Sequence, residues 1–474
     1  MTGFVGRETQ FEDLNRQLDI VKIGARLDKG AAILLRGRRR VGKSALVTEF
    51  IRRSGLPSFY FQAARRRPPV EELAEFAHAI ATSDLPNAAL AAGVEPKSLT
   101  AALRLLAQAL PDQTPAIAVI DELPWLLESF AGGAGELQRV WDRELAAKPV
   151  LLLLVGSDLG LMEAINRPDQ PFYARATEML LQELTPRDLS RQLGVAAMTA
   201  FDAYLVTGGQ PLLAAEWQPG MSPIEFVQKA FASPVSALVG SGARVLDDEF
   251  PEVALARPVL RAIGGRGERA FSKIQQTAGV SQAALERALT VLNDKRIIAA
   301  DEPLSTRRAA KDRRWRIADP ALRFWLSFVE PSLPDIDRRR PDVALANFED
   351  RYRAWRGRTI EPVVREALLR LNLSADFPDL RTVGGWWPRS NKPEIDLVAG
   401  DGQPANRVNF VGSIKWRDCQ SVTRQEVTAL AEMAMSVPGV TAATPLIAVC
   451  PAGAEPDSRL ARVWAADDLL AAWP

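Results

Sequence analysis

A glycine-rich segment near the N-terminus carries the residue types that bind a chain of phosphates. Its letters GRRRVGKS fit the pattern Gly-x-x-x-x-Gly-Lys-Ser/Thr. Glycine lets backbone N–H groups turn toward phosphate oxygens without a clashing Cβ atom. Lys43 would reach the β- and γ-phosphates, and the hydroxyl of Ser44 would ligate Mg²⁺. We therefore expect a site for ATP and Mg²⁺ whose phosphate-binding residues are Gly37, Arg38, Arg39, Arg40, Val41, Gly42, Lys43, Ser44 and Ala45.

Two adjacent acids end a second apolar run, in the segment IAVIDELPWL. Asp121 is expected to hold Mg²⁺, chiefly through water, and Glu122 to orient or deprotonate the attacking water. The alternative is a pair of solvated acids at the end of a strand. The interval between Lys43 and Asp121 suits a sheet in which a further strand and helices are inserted.

Two more polar residues are candidates for the same chemistry. Ser157 follows the apolar run LLLLVG, where its hydroxyl would sense the γ-phosphate or simply cap the strand. Arg175, in the segment PFYARATEM, is a candidate arginine finger acting within one chain or between chains. Such a finger commonly raises turnover ~10³-fold or more.

The elements that must position these residues alternate between strands and helices. Short apolar runs predict buried strands at Ala31–Leu35, Ala116–Ile120 and Val150–Val155. Amphipathic stretches predict helices at Ser44–Arg53 and Pro69–Thr82. This alternation is typical of an α/β fold with a parallel sheet. From Thr185, a candidate helix cap, the pattern becomes helical.

The middle of the chain has the pattern of a winged helix-turn-helix. A short helix at 258–263 precedes FSKIQQTAGV and SQAALERALTVLNDKRII, and Gly279 with Ser281 predicts a tight turn between the last two helices. A strand is expected at Arg314–Ile317. The second helix has Arg287 as its main basic residue, so docking to protein is as plausible as reading DNA. Residues that would follow DNA phosphates from the wing are Arg307, Arg308, Arg313, Arg314 and Arg316.

The last third of the chain predicts a separate α/β unit. The proline- and arginine-rich stretch PSLPDIDRRRPDV is typical of a linker. After it, the pattern predicts two helices and four strands, in the order helix 359–371, strands 381–387, 394–398 and 408–415, helix 424–435 and strand 444–449.

Bulk composition excludes several classes of protein. The chain has 474 residues, 47% apolar residues, 25% charged residues and a formal net charge of +1, which is typical of a folded multidomain protein. Cys419 and Cys450 fit a reducing compartment, and the single histidine, His78, excludes a histidine-based zinc site or triad. With no apolar run of ~18 residues and no signal peptide pattern, we expect a cytoplasmic protein without membrane contact.

Taken together, the segments FVGRETQFEDL, LLRGRRRVGKSALVTEF, IDELPWL, LLVGSDLGLM and GGQPLL resemble the archaeal-type ATPases, a prokaryotic P-loop family near the signal-transducing (STAND) branch of AAA+. The resemblance implies that Phe4, Val5, Gly6 and Arg7 lie near the adenine. It also implies that Gly209 and Pro211 contact the nucleotide from a helical lid. These ATPases often carry a winged helix and a C-terminal domain of the restriction-endonuclease-like, PD-(D/E)XK, kind.

The expected fold class is therefore α/β, with an AAA+-like P-loop sheet, a helical lid, a winged helix and a restriction-endonuclease-like domain. The corresponding ranges are 1–184 for the P-loop ATPase core, 185–256 for the lid, 257–330 for the winged helix, 331–346 for a linker and 347–474 for the nuclease-like domain.

The resemblance also implies a degenerate nuclease site in the last domain. Nucleases of this kind hold magnesium with carboxylates and use a lysine beside the attacking water. Matching positions are Glu361, Asp396 and Lys415, but Ser413 stands where an acid belongs. A serine hydroxyl is a poor substitute for a carboxylate, so cleavage is expected to be weak or absent unless Glu394 supplies the missing charge.

The leading functional expectation is an ATP-hydrolysing switch that repositions the winged helix and the nuclease-like domain. One alternative is an ATP-regulated DNA nuclease, with a role in defence, that cuts through Glu361, Asp396 and Lys415. A second is a non-catalytic DNA-binding regulator. DNA, a protein partner and further copies of the chain remain open as partners beside ATP.

Overall fold

The computed structural model describes residues 4–24, 30–249, 256–308, 312–373 and 375–473. The chain divides into two compact units, Met1–Glu183 and Leu184–Pro474. The first unit ends one residue before the predicted range 1–184 does, and the assignment of that range as an ATPase core stays a prediction. The finer division of the second unit into three domains stays a prediction.

The first unit is built on a five-stranded parallel sheet in the order β2-β3-β4-β1-β5. All three strands predicted from apolar runs are present. The interval between Lys43 and Asp121 contains one further strand, β2, as the spacing of the two motifs indicated, whereas β4 lies between β1 and β3 in the sheet. Sequence reasoning did not identify β2 and β5, which are short and carry exposed residues. The strands are β1 Ala31–Arg36, β2 Ser58–Gln62, β3 Ala116–Asp121, β4 Val150–Gly156 and β5 Thr177–Leu180.

Helices cover both faces of this sheet. Side chains alternate along β1, so that Ala32 and Leu34 belong to one apolar core while Ile33 and Leu35 belong to the other. Burial on both faces explains why the central strands are unbroken apolar runs. The helices are α1 Glu8–Ile23, α2 Lys43–Ser54, α3 Pro69–Ala81, α4 Leu99–Ala109, α5 Leu123–Glu128, α6 Gly133–Val140 and α7 Leu159–Ile165.

The second unit begins with five helices. Thr185 caps the first of them in a reciprocal capping box with Asp188, as its position before an amphipathic stretch predicted. The helices are α8 Pro186–Leu193, α9 Ala197–Thr207, α10 Pro211–Glu216, α11 Pro223–Phe231 and α12 Ala237–Glu249.

A three-helix segment and a hairpin follow. Gly279 ends one helix in the left-handed conformation and Ser281 caps the next by accepting a hydrogen bond from the Ala284 N–H, which gives the predicted tight turn. The two strands pair antiparallel. The elements are α13 Ala256–Leu260, α14 Phe271–Ala278, α15 Gln282–Asp294, β6 Ile298–Asp301 and β7 Arg314–Ile317.

The segment 331–346, which was predicted to be a linker, is mostly helical. It lies in α17 Glu330–Asp337 and α18 Pro341–Thr359, which follow α16 Pro320–Phe324. Pro341 falls in a first helical turn, where a missing N–H costs nothing, and Pro331 directly follows the π-helical turn at 325–329. Ile336 and Ala344 are buried in the apolar core, so tertiary packing outweighs the local proline and arginine content.

The C-terminal sheet has five strands in the order β12-β11-β10-β9-β8. β8, β9 and β10 pair antiparallel, whereas β10, β11 and β12 pair parallel. All predicted elements of this region are present, but β12 and α21 were not anticipated because β12 is largely exposed. The elements are α19 Glu361–Arg370, β8 Thr382–Trp386, β9 Ile395–Gly400, β10 Val408–Ile414, α20 Arg424–Ala434, β11 Leu446–Val449, β12 Leu460–Trp464 and α21 Ala466–Leu470.

A buried arginine ties the start of the second unit to its end. Arg356 on α18 donates to Asp202 on α9 at 3.1 Å and to Asp418 after β10 at 2.9 Å. Arg356 and Asp202 are both almost fully buried. In the part of the chain that the structure describes, no helix has the length and hydropathy needed to cross a bilayer.

Candidate functional site

The glycine-rich loop connects β1 to α2 at the carboxyl edge of the first sheet. Gly42 has a φ of 91°, a conformation that favours glycine, and lies immediately before α2. A Cβ atom on Gly37 would lie 2.4 Å from the Leu181 carbonyl oxygen, so no larger residue fits there without a shift. Both glycines are therefore required by the backbone as well as by the predicted approach of phosphate.

Lys43, the first residue of α2, is folded back over this loop. Its Nζ atom donates to the carbonyl oxygens of Gly37 at 2.8 Å and Arg38 at 3.0 Å. Burial lowers the pKa of Lys43 to about 8, although the nearby charges of Glu122 and Asp121 raise it. The ammonium group is thus desolvated and hydrogen-bonded to neutral oxygens, and an anionic ligand would favour its charged form.

The magnesium-binding pair predicted from sequence is brought together by the fold. Ser44 Oγ donates to Asp121 Oδ2 at 2.6 Å, although the two residues are far apart in sequence. The Asp121 Oδ2 atom also accepts a hydrogen bond from the Tyr60 hydroxyl at 2.6 Å. Burial and the hydrogen bond to Asp121 raise the pKa of Tyr60.

Tyr60 was missed by sequence reasoning. It lies on β2, which neighbours the strand that ends in Asp121. The only signal in the sequence is a polar hydroxyl within the apolar segment SFYFQ. That signal has no meaning until the order of the strands is known.

Glu122 and Ser157 also meet at this edge. Ser157 Oγ lies 2.9 Å from each carboxylate oxygen of Glu122 and donates to that group. Glu122 has a φ of 54°, a strained value for a residue with a side chain, and it lies directly before α5. Ser157, which follows β4, thus fixes the position of the Glu122 carboxylate, the candidate general base.

The N-terminal segment contacts the glycine-rich loop through Arg7. The Arg7 guanidinium is buried and donates to the Val41 carbonyl and the Gln182 carbonyl, both at 2.8 Å. Phe4 packs edge-on against Phe11 of α1, with 5.5 Å between ring centroids. Arg7 therefore contacts the loop, whereas a role of Phe4, Val5 and Gly6 near adenine stays a prediction.

Other predicted loop residues surround this centre. Arg38, Arg39 and Arg40 are partly buried, and the Arg39 guanidinium lies 5.6 Å from the centroid of the Trp125 ring. Ser44 and Ala45 are exposed at the start of α2, the position where helix N–H groups face an anion.

Arg175 has an intramolecular partner in this structure. Its guanidinium makes two hydrogen bonds to the Asp142 carboxylate, at 2.7 and 2.9 Å, and donates to the Pro171 and Tyr173 carbonyls. The hydrogen bonds to Asp142 raise the pKa of Arg175. A role as an arginine finger stays a prediction, and it would require this pair to separate.

The Gly-Gly-Gln-Pro segment belongs to the second unit. Gly209 has a φ of 69°, and a Cβ atom there would lie 2.0 Å from the Leu184 carbonyl oxygen. Pro211 is the first residue of α10. The backbone alone therefore explains Gly209, and nucleotide contact by Gly209 and Pro211 stays a prediction.

The residues at the edge of the first sheet fit a magnesium-bound triphosphate. Ser44 and Asp121 present adjacent hydroxyl and carboxylate oxygens, the ligand types that Mg²⁺ prefers. Lys43 and the first turn of α2 supply positive charge beside them. The same edge carries Glu122, the candidate general base, so that ligands and base lie together.

The residues of the predicted nuclease site also lie close to one another, but the hydrogen-bond partners of their side chains differ from those at the first sheet. Asp396 Oδ2 accepts hydrogen bonds from Ser413 Oγ at 3.1 Å and from the Ile414 N–H at 2.9 Å. Glu361 is buried and accepts a hydrogen bond from Arg365 at 3.1 Å. Burial raises the pKa of Glu361. The side chain of Lys415 is partly buried. The backbone N–H of Lys415 donates to the Val449 carbonyl at 2.8 Å.

Glu394, the candidate for the charge missing at Ser413, has two arginine partners. Its carboxylate pairs with Arg314 of β7 at 2.5 Å and with Arg269 at 3.5 Å. Arg269 also approaches Glu361 at 4.0 Å. Across the described ranges, no three Asp, Glu, His or Cys side chains are grouped so that they would hold a metal ion. Glu361 and Glu394 are thus paired with arginines, whereas the Asp396 carboxylate accepts hydrogen bonds from neutral groups.

Most of the five predicted wing arginines also form ion pairs with carboxylates. Arg313 binds Glu302, Arg314 binds Glu394, and Arg316 binds Asp301. Arg307 and Arg308 are exposed. Three of the five residues expected to follow DNA phosphates therefore already have carboxylate partners within the chain.

Comparisons with known proteins add a family match over part of the chain. The model of DUF234, described as archaea bacterial proteins of unknown function, matches residues 325–428, which is less than half of the chain. Comparison with curated proteins finds no match.

Several solved structures are similar over most of their length. The Walker-type ATPase paby2304 of Pyrococcus abyssi is 20% identical, with 68% of this chain and 96% of that chain covered and a TM-score of 0.48. The ORC2 protein of Aeropyrum pernix, in ADPNP-ADP complexes, is 15% identical, with 72% and 97% covered and a TM-score of 0.45. The Aeropyrum pernix ORC1 protein in complex with DNA is 18% identical, with 73% and 93% covered and a TM-score of 0.33. At these scores the likenesses carry no conclusion about the activity of this chain.

Proposed function

We propose that the first unit binds ATP with magnesium and hydrolyses the ATP. The observation that carries this proposal is the Ser44–Asp121 hydrogen bond beside Lys43, with Glu122 as the next residue. One sheet edge then holds a phosphate-binding lysine, two magnesium-type ligands and a carboxylate base. A set of ordinary strand-end residues would have no reason to converge in this way.

Each of these residues has a distinct role in the proposed reaction. Lys43 stabilises the charge of the β- and γ-phosphates, and Ser44 and Asp121 hold the magnesium ion, which when bound withdraws charge from the phosphate oxygens. Glu122 orients the attacking water and accepts its proton. Ser157 donates to Glu122 and keeps that carboxylate at the strand end until a γ-phosphate competes for its hydroxyl.

Steady-state ATP hydrolysis by Lys43→Ala tests this function. We expect loss of detectable turnover and of Mg-ATP binding by calorimetry. Lys97→Ala, which removes an exposed lysine of the same unit, is the matched control and should behave like the parent protein. Undiminished turnover by Lys43→Ala, at equal purity and helical content, would refute the assignment.

We further propose that ATP binding and hydrolysis switch the position of the second unit, in which α13–α15 with the β6–β7 hairpin form a winged helix and residues 347–474 form a PD-(D/E)XK-like domain. The order helix, three antiparallel strands, helix and parallel strand supports the second assignment. Pairing of Glu361 and Glu394 with arginines supports a domain that does not cleave DNA.

Plasmid cleavage with Mg²⁺ or Mn²⁺ tests that last point. We expect no nicking by the parent protein, with or without ATP. Cleavage that disappears in Asp396→Ala would favour the ATP-regulated nuclease instead, whereas cleavage that persists in this variant would identify a contaminant.

A DNA-binding regulator is less well supported, because Arg313, Arg314 and Arg316 are already paired with acids. Binding of duplex DNA at low salt that is lost in Arg307→Gln/Arg308→Gln would favour it. No binding at low salt would exclude it and would leave a protein as the partner of the second unit.

A further inference from the structure

A small cavity lies between β7, α16 and α18 of the second unit, and its lining residue Arg269 contacts Glu394 and Glu361. It has a volume of about 50 Å³. One water needs ~10–15 Å³ by this measure, so the cavity has room for a group of a few heavy atoms but not for a nucleobase. Four of its lining residues are arginines, namely Arg269, Arg316, Arg323 and Arg358.

The charge of this cavity is unbalanced. No Asp or Glu is among its lining residues, which besides the arginines are apolar or glycine, with Thr359 as the one hydroxyl. Arg316 and Arg269 have carboxylate partners outside the cavity, in Asp301 and Glu394. Among the described residues, neither Arg323 nor Arg358 has a side-chain hydrogen bond or an ion pair.

Arg323 is the most informative of the four. Burial, together with the charges of Arg316 and Arg269, lowers the pKa of Arg323 to about 9, while Glu361 and Asp301 raise it. A guanidinium keeps its proton in proteins. The lowered pKa of Arg323 therefore reflects the free-energy cost of a charge without a paired counter-ion, and not deprotonation. A buried charge is tolerated when an opposite charge with good hydrogen-bond geometry accompanies it.

We propose that this cavity binds a phosphate group. A tetrahedral oxyanion matches its size, and its oxygens match the planar fork of donors that each arginine presents. The partly buried Arg323 and the exposed Arg358 hold the anion, and Thr359 also lines the cavity. The group belongs either to a small phosphorylated molecule or to the phosphorylated end of a nucleic acid strand.

Calorimetry with inorganic phosphate tests the site, and the full chain with Lys43→Ala is the parent, so that the glycine-rich loop does not contribute. We expect binding by this parent and a loss of affinity of about tenfold or more in Arg323→Gln, because charge-assisted hydrogen bonds disappear. Arg358→Gln keeps the partly buried Arg323 and should weaken binding to a smaller extent. Arg353→Gln removes an exposed arginine of the same helix and is the control.

Thermal unfolding separates binding from folding. Phosphate should raise the melting temperature of the parent and of Arg353→Gln but not that of Arg323→Gln. Without phosphate, Arg323→Gln should melt no lower than the parent, because it removes an unpaired charge.

The source of the phosphate is distinguished by two single-stranded oligonucleotides of one sequence, with a 5′-phosphate or a 5′-hydroxyl. Arg358-dependent binding of inorganic phosphate supports a small ligand. Arg358-dependent preference for the 5′-phosphate, without binding of inorganic phosphate, supports a nucleic acid end. Equal affinities of the Arg323→Gln, Arg358→Gln and Arg353→Gln proteins for every probe, or no binding of any probe, would overturn the proposal.

Discussion

Two sites in this molecule, one at each five-stranded sheet, combine acids with a lysine. They differ in the groups that bind the acids. At the edge of the first sheet, Asp121 accepts hydrogen bonds from neutral hydroxyls, and Lys43 contacts carbonyl oxygens. At the C-terminal sheet, Glu361 is bound by Arg365, and Glu394 is bound by Arg314. The first arrangement leaves negative charge for a cation, whereas in the second Glu361 and Glu394 are already paired with permanent cations and only Asp396 is not.

Residue type and strand position are therefore insufficient to define a metal site. A carboxylate serves a metal ion only when its neighbours leave its charge uncompensated. Arginine does not lose its proton, so a guanidinium stays bound to a carboxylate and competes with a metal ion for it. The neighbours that decide the matter come from other elements of the fold.

The largest expected effect within this comparison is at Glu122. Glu122→Gln removes the candidate base but keeps the size of the side chain and its contact with Ser157. We expect kcat for ATP to fall about 100-fold or more, with Mg-ATP still bound. Glu128→Gln, at the exposed end of α5, is the control. If Glu122→Gln turns over within about twofold of the parent, another group activates the water.

At the second edge, the expected effect is on stability. Glu394→Gln removes the carboxylate partner of Arg314, which is 6% exposed. Because Glu394 itself is partly solvated, we expect a loss of about 1–2 kcal/mol rather than the full cost of breaking a buried pair. A lower melting temperature would register this loss, with Glu432→Gln as the exposed control. An unchanged melting temperature would show that the pair contributes little.

The lowered pKa of Lys43 predicts a pH dependence of nucleotide binding. The free protein loses the Lys43 proton as pH rises through about 8, whereas the complex with ATP retains it. Binding above this pH must therefore take up a proton, and affinity for Mg-ATP should fall about fivefold to tenfold between pH 7.5 and 9. Calorimetry in buffers of different ionisation enthalpy measures this uptake directly. A flat profile would mean that Lys43 stays charged in the free protein.

The smallest effect is expected at Tyr60. Tyr60→Phe removes the hydrogen bond to Asp121 Oδ2 but leaves the ring in place. We expect the Mg²⁺ concentration for half-maximal turnover to rise about twofold to fivefold, as for the loss of one hydrogen bond. Tyr173→Phe, at an exposed position, is the control. An effect as large as that of Glu122→Gln would make Tyr60 part of the reaction itself.

Sequence reasoning succeeded where local chemistry decides the structure. The apolar runs that became β1, β3 and β4, and the Thr185 cap, are determined by neighbouring residues. The Ser44–Asp121 contact followed from two motifs whose strands end at the same sheet edge.

It failed where distant residues decide. The helices at 331–346 form because Ile336 and Ala344 are buried, which the proline-rich segment does not reveal. Tyr60 depends on the order of the strands. The neutralisation of Glu394 depends on Arg314 and Arg269, which are 80 and 125 positions away.

The Arg356 contacts with Asp202 and Asp418 have a mechanical consequence. Pulling α9 away from α18 would strand an arginine in an apolar interior, so helix and sheet must travel together. Within the second unit, a displacement of α9 would therefore be passed on to α18 and to the segment that follows β10.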